Sequence, residues 1–154
     1  MSNLEKYLKS LGKQEEVKEE KIKVNRNPNL DEICKDYEKW LGENKDDWDK
    51  NYNDALEKYS KKEYSSKNIE DFSIELVKYQ ERKQFEKSGL FLSALINSSR
   101  NKEFVLVTEH LDKMIDLIAY KNIKKIDVKG NAGDNAGWRN EGTVSVGGNA
   151  GNYA

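Results

Sequence analysis

Lys125-Ile-Asp-Val-Lys-Gly-Asn-Ala-Gly-Asp-Asn-Ala136 can be laid over Thr143-Val-Ser-Val-Gly-Gly-Asn-Ala-Gly-Asn-Tyr-Ala154 at an offset of 18 residues. Six of the twelve pairs are identical: Val128/Val146, Gly130/Gly148, Asn131/Asn149, Ala132/Ala150, Gly133/Gly151 and Ala136/Ala154. Ile126/Val144 and Asp134/Asn152 are near matches. Gly-Asn-Ala-Gly twice in register marks an internal repeat, and repeats are read before motifs. Each unit carries a short strand, a glycine turn and a second small-residue segment. A unit of this size cannot bury its own inner face. Stacked copies can, because each strand pairs with the next at about 4.7–4.9 Å. Glycine gives the corners their positive φ angles and close backbone approach, and alanine fits a narrow interior. Asn131 and Asn149 would then lie one above the other as an amide ladder. The pattern predicts a parallel β-helix rather than a sheet with crossover helices.

The same glycines could be weighed as a phosphate loop. Gly130-Asn-Ala-Gly133 has no Lys-Ser/Thr after it and leads into no helical pattern. It therefore matches neither a P-loop nor a dinucleotide fingerprint, both of which rely on a helix amino terminus to hold an anion.

Upstream the composition changes. Of 55 charged residues only Asp134, Arg139 and Glu141 lie at or beyond Gly130, whereas seven of the ten glycines do. Two kinds of structure meet near residues 100–103. Residues 1–29 are rich in Lys and Glu, and the Leu4, Leu8, Leu11 stripe stops after one face. This segment predicts a frayed helix or a disordered arm. Residues 30–99 predict a helical domain. Asn29 or Asp31, after Pro28, can cap its first helix. Ile33, Tyr37, Trp40, Leu41, Trp48, Tyr52, Ala55, Leu56 and Tyr59 recur at helical spacing, with a break near Gly42. A second pattern runs through Ile69, Phe72, Leu76, Val77 and Phe85. Gly89–Asn97 is the most apolar stretch and reads as a buried helix. Phe104–Val107 reads as a buried strand and Ile115–Ile118 as a poorer one. Residues 103–154 are assigned to the repeats.

The chain has 154 residues, with 27 Lys+Arg against 28 Asp+Glu and a formal net charge of −1. This balance argues against nucleic acid as a partner. No apolar run approaches a membrane span, and residues 1–25 have no signal-peptide core. The single cysteine, Cys34, precludes an intramolecular disulfide. A cytoplasmic setting is expected, with neither nucleic acid nor membrane as partner.

Val128-Lys-Gly-Asn-Ala-Gly-Asp134 and Val144-Ser-Val-Gly-Gly-Asn-Ala-Gly-Asn152 resemble the GXGXG repeats. These occur in the carboxy-terminal domain of the glutamate synthase large subunit and in one of the subunits of formylmethanofuran dehydrogenase. The resemblance covers about 30 residues, or about 50 if Phe104–Asn122 is a degenerate first coil. It implies a right-handed β-helix that is mainly structural and packs against catalytic domains. No flavin, iron–sulfur or molybdenum ligand carries over to a residue here. The stretch Gly89–Asn97 followed by repeats also resembles uncharacterised prokaryotic proteins of this arrangement. One departure is that Asn140-Glu-Gly142 supplies a single glycine where the family usually has a pair. Another is that the last repeat stops mid-unit at Ala154. That leaves an open edge, so a fragment of a longer protein or a partner on the edge is expected.

Other candidate sites carry less. Trp40 and Trp48 could wall a ligand cage, but helix packing explains the stripe more simply. Cys34 with His110 could form a nucleophile–base pair, yet Cys34 lies on the apolar stripe and reads as a small buried hydrophobe. Asp127 and Asp134 read as turn caps. No catalytic, cofactor-binding or metal constellation emerges, and no cofactor is expected. The fold expectation is therefore α+β, a helical domain followed by the start of a right-handed parallel β-helix. The functional expectation is a non-catalytic scaffold or interaction module that takes a protein partner, or a second copy, through its open edge. The alternative is a subunit or fragment of a cytosolic oxidoreductase complex.

Overall fold

The computed structural model describes residues 27–43 and 46–154. The expectation for the charged amino-terminal segment falls, up to residue 26, outside them. Four α-helices come first: α1 (Pro28–Gly42), α2 (Trp48–Tyr59), α3 (Ser66–Glu75) and α4 (Ser88–Ser98). Two single 3₁₀ turns, Leu76–Tyr79 and Phe85–Lys87, join α3 to α4. Three short strands follow, β1 (Glu103–Val107), β2 (Lys125–Lys129) and β3 (Thr143–Val146).

Local chemistry sets the helix starts. Asn27, rather than Asn29 or Asp31, caps α1: its side chain accepts from Leu30 N at 2.9 Å. Pro28 at the first helical position forces the cap onto the residue before it. Asp47 and Ser65 cap α2 and α3 in the same way. The aromatic stripe packs as a core. Tyr37 lies 5.2 Å from Phe72 and 5.3 Å from Phe91, ring centre to ring centre, both edge-on. The Tyr37 hydroxyl and Ser88 Oγ share a buried hydrogen bond of 2.5 Å. α4 is apolar on all sides and buried from Ser88 to Ile96, as its sequence predicts. It packs on α2, and the turn at residues 116–120 lies against its amino-terminal half.

The strands form one parallel sheet in the order β1-β2-β3. Phe104 pairs with Ile126 and Ile126 with Val144, so the β2–β3 register reproduces the 18-residue offset. The expected parallel β-helix is not what forms. The sheet is open, three strands wide, and does not close on itself. The reason lies in residues 108–124. These run through turns, with Leu117, Ala119 and Lys121 in the left-handed backbone region, so the second wall that closure needs is absent. For the same reason Ile115–Ile118 is a turn rather than a strand.

α3 packs along β1, and Val107 N donates to Ser73 Oγ at 2.9 Å. The helices thus cover one edge of the sheet and leave β3 at the other. Buried side chains of helices and sheet, from Leu30 to Ala136, form one apolar cluster.

Candidate functional site

The repeat positions named from the sequence stack as pairs. Val128 and Ala132 are fully buried, and Val146 is half-buried against the core. Gly130 takes φ +132° and sits against Thr108 and Glu109. Asn131 does not meet Asn149 amide to amide. Its Oδ1 instead accepts the backbone N–H of Asn149 at 2.8 Å, and Asn149 O accepts from Ala132 N at 2.9 Å. Gly133 and Gly151 stack likewise, with Gly151 N donating to Ala132 O at 3.1 Å. Gly148 N donates to Gly130 O at 2.8 Å, and Ala150 is exposed.

Three links of the ladder were not singled out from the sequence. Asp116 Oδ1 accepts from Asp134 N at 2.7 Å, and Asp134 Oδ1 accepts from Asn152 N at 2.8 Å. One side chain per level thus receives a backbone N–H of the level above. Asn122 and Asn140 form the same local turn 18 residues apart: each Oδ1 accepts the N–H two residues on, at 2.9 and 3.0 Å. Asn122 Nδ2 also donates to Asn140 Oδ1 at 2.9 Å. The left-handed residues keep the period too, with Leu117, Asn135 and Tyr153 at φ 63°, 58° and 60°. Ala119 precedes Gly137, and Lys121 precedes Arg139, at the same interval. The backbone therefore repeats over three levels. Extending the 18-residue offset back to Asp116 and Asn122 would have exposed the lowest one. Burial pushes the Asp116 carboxyl above its ordinary range, against the hydrogen bond from Asp134 N.

β3 is the exposed end of this stack. Thr143 N donates to Lys124 O at 2.9 Å and Gly147 N to Val128 O at 2.9 Å. Odd-numbered residues therefore face β2. The alternation of a parallel ladder turns the backbone groups of Val144 and Val146 outward. Thr143, Ser145, Asn149 and Asn152 are exposed. Residues 143–154 hold no charged side chain. Charge, above all lysine, is a common means of blunting a sheet edge.

The other candidates separate. Trp40 is buried, with its indole N–H on Asn51 O at 2.9 Å. Trp48 meets Trp138 edge-on at 5.7 Å, so the two expected walls do not face one cage. Trp48 and Trp138 instead border an open depression of about 410 Å³ with Asp46, Asp47, Asp49, Tyr120 and Arg139. Its polar groups are engaged: Asp47 caps α2, and Asp49 accepts from the Tyr120 hydroxyl and pairs with Lys121. Those bonds hold the Asp49 carboxyl below its usual range. Cys34 is buried on α1, whereas the His110 ring bonds Ile74 O at 2.9 Å beside α3. Asp127 accepts from Ser145 Oγ at 3.2 Å, a link between levels. Among the described residues no group of three His, Cys, Asp or Glu side chains is placed to hold a metal ion. No helix among them is long and apolar enough to cross a membrane.

Compared with family models, with curated proteins and with solved structures, the chain matches none.

Proposed function

We propose that the chain is a non-catalytic interaction module whose working surface is the open β3 edge. One observation carries this reading: the edge presents outward backbone groups at Val144 and Val146 within twelve residues that have no charge. Parallel or antiparallel addition of a strand satisfies such groups and supplies affinity through main-chain hydrogen bonds. The lower edge differs, since α3 lies along β1 and Ser73 receives the Val107 amide. The GXGXG resemblance supports the same reading, because in those proteins the repeat domain is structural and packs on its neighbours.

The test adds charge to the exposed flank of the edge through Thr143→Lys with Ser145→Lys. The parent chain is expected to rise above its 17.8 kDa monomer mass with concentration, or to bind strand-forming peptides. In either case exchange at the Val144 and Val146 amides slows. The double variant stays monomeric and binds none. A parent that remains monomeric at millimolar concentration, with edge amides that exchange equally fast with and without peptide, refutes the reading.

A further inference from the structure

The stack carries a rule about what can lie on each level. Asn131, Asp134 and Asp116 each use Oδ1 to receive a backbone N–H from above. The residue before each donor is a glycine: Gly148 before Asn149, Gly151 before Asn152 and Gly133 before Asp134. The side-chain oxygen leaves that glycine no alternative. A Cβ on Gly148 would run into Asn131 Oδ1 and lie 2.9 Å from Gly130 O. One on Gly151 would run into Asp134 Oδ1 and lie 2.8 Å from Gly133 C. One on Gly133 would run into Asp116 Oδ1 and lie 2.9 Å from the Ile115 carbonyl. Real Cβ atoms essentially never come this close. Receiver and glycine are therefore two halves of one contact, formed three times.

The top level presents the receivers again. Asn149 and Asn152 are exposed amides, three residues apart like Asn131 and Asp134 beneath them. Tyr153 repeats the left-handed turn of Asn135. Resting on the edge reading above, we infer that the edge takes a parallel strand followed by Gly-Xaa-Xaa-Gly. The Asn149 and Asn152 side chains receive the N–H after each glycine. The occupant is thus a polypeptide with this chain's own repeat pattern, uncharged along the contact. A second copy cannot supply the fit by stacking its lower face, because α3 covers β1.

The probe is a synthetic peptide with the sequence Thr143–Ala154, which obeys the rule over residues 125–136. It is titrated into the full chain labelled for NMR. The expected result is edge-centred shifts at Val144, Val146, Asn149 and Asn152, with affinity about tenfold or more above that of the same peptide carrying Gly148→Ala and Gly151→Ala. Protein carrying Asn149→Leu and Asn152→Leu is expected to lose that preference. These residues are exposed at the top level, so a peptide that instead displaced β3 would keep its preference and overturn the inference. Equal binding of both peptides at the edge overturns the glycine rule but leaves the docking reading intact. No edge shift with either peptide refutes both. Dimerisation through the edge that the parent peptide does not compete away makes a second copy the occupant, and the inference falls.

Discussion

Gly89→Ala is expected to destabilise the protein by about 3–4 kcal/mol, although it replaces glycine in a helix with the best helix former. Gly89 is the second residue of α4, and the turn at residues 116–118 crosses it. A Cβ there would sit 2.5 Å from Ile118 N and nearer still to Leu117 C and Asp116 O. Ordinary carbon contacts lie near 3.5–4.0 Å, so helix and turn must part by about 1 Å or more. Overpacking of this kind costs about 1–3 kcal/mol. The turn is also tied down by Asp116 N on Glu86 O at 2.7 Å and Tyr120 N on Ser93 Oγ at 2.9 Å. Parting strains both bonds, at about 1 kcal/mol each. Helix propensity returns less than about 1 kcal/mol. The control is Gly42→Ala at the end of α1, where a Cβ meets nothing within 4 Å. There the same change is expected to be neutral or to stabilise by up to about 1 kcal/mol. Urea unfolding monitored by circular dichroism measures both. A Gly89→Ala chain within about 1 kcal/mol of the parent, with unchanged m-value, would refute the claim that the turn is held against α4 by its backbone.

Three further outcomes are expected. Tyr37→Phe removes the buried bond to Ser88, whose Oγ also donates to Phe85 O at 2.6 Å; equilibrium unfolding should show a loss of about 1 kcal/mol. Gly137→Ala isolates backbone strain, because φ is +76° and the nearest atom to a Cβ is Asn140 Cβ at 3.8 Å; a loss of about 1 kcal/mol is expected, and no loss would contradict the strain argument. Burial holds the His110 imidazole below its ordinary pKa of 6.5, outweighing the raising effects of Ile74 O and Glu109. The unfolded chain therefore takes up the proton first. Stability should fall as pH drops below about 6.5, by at most about 1.4 kcal/mol per pH unit, until the folded-state value is passed. His110 is the one histidine in the sequence, so its NMR titration needs no assignment, and a midpoint above 6.5 would overturn the account.

What was legible in the sequence was local. The Gly130/Gly148 register, the buried strand at Phe104–Val107 and the buried helix through Gly89–Asn97 all rest on periodicity or on identity at a fixed offset. Closure of the sheet was not legible. Glycine and asparagine signal a corner, but they do not say whether the segment beyond it pairs as a strand. Here residues 108–124 answer with turns. The lowest repeat was hidden because Leu117, Ala119 and Lys121 take the left-handed conformation without the residues that advertise it. Packing holds Leu117 and Ala119 there, both nearly fully buried. The partner of Trp48 was out of reach for another reason. Trp138 lies ninety residues away in sequence, and no pattern of spacing along one helix points to it. Of the candidate surface, the glycines and Asn131 and Asn149 were visible. Their pairing as side chain to backbone was not, since that depends on the 18-residue levels being in contact.

The covering of β1 by α3 has a consequence for how far any assembly can grow. A stack with two free faces is a monomer in the polymer sense: each addition regenerates the face it consumed, and growth has no natural end. This molecule has a floor and no roof. Whatever adds at β3 meets a unit that offers nothing beneath, so the chain acts as a terminator. Two such units meeting roof to roof consume both faces and stop at a pair, the closed outcome rather than the fibrous one. An uncharged edge that would be an aggregation hazard on a two-sided sheet is confined, by one helix and the Ser73 hydroxyl, to a single finite encounter.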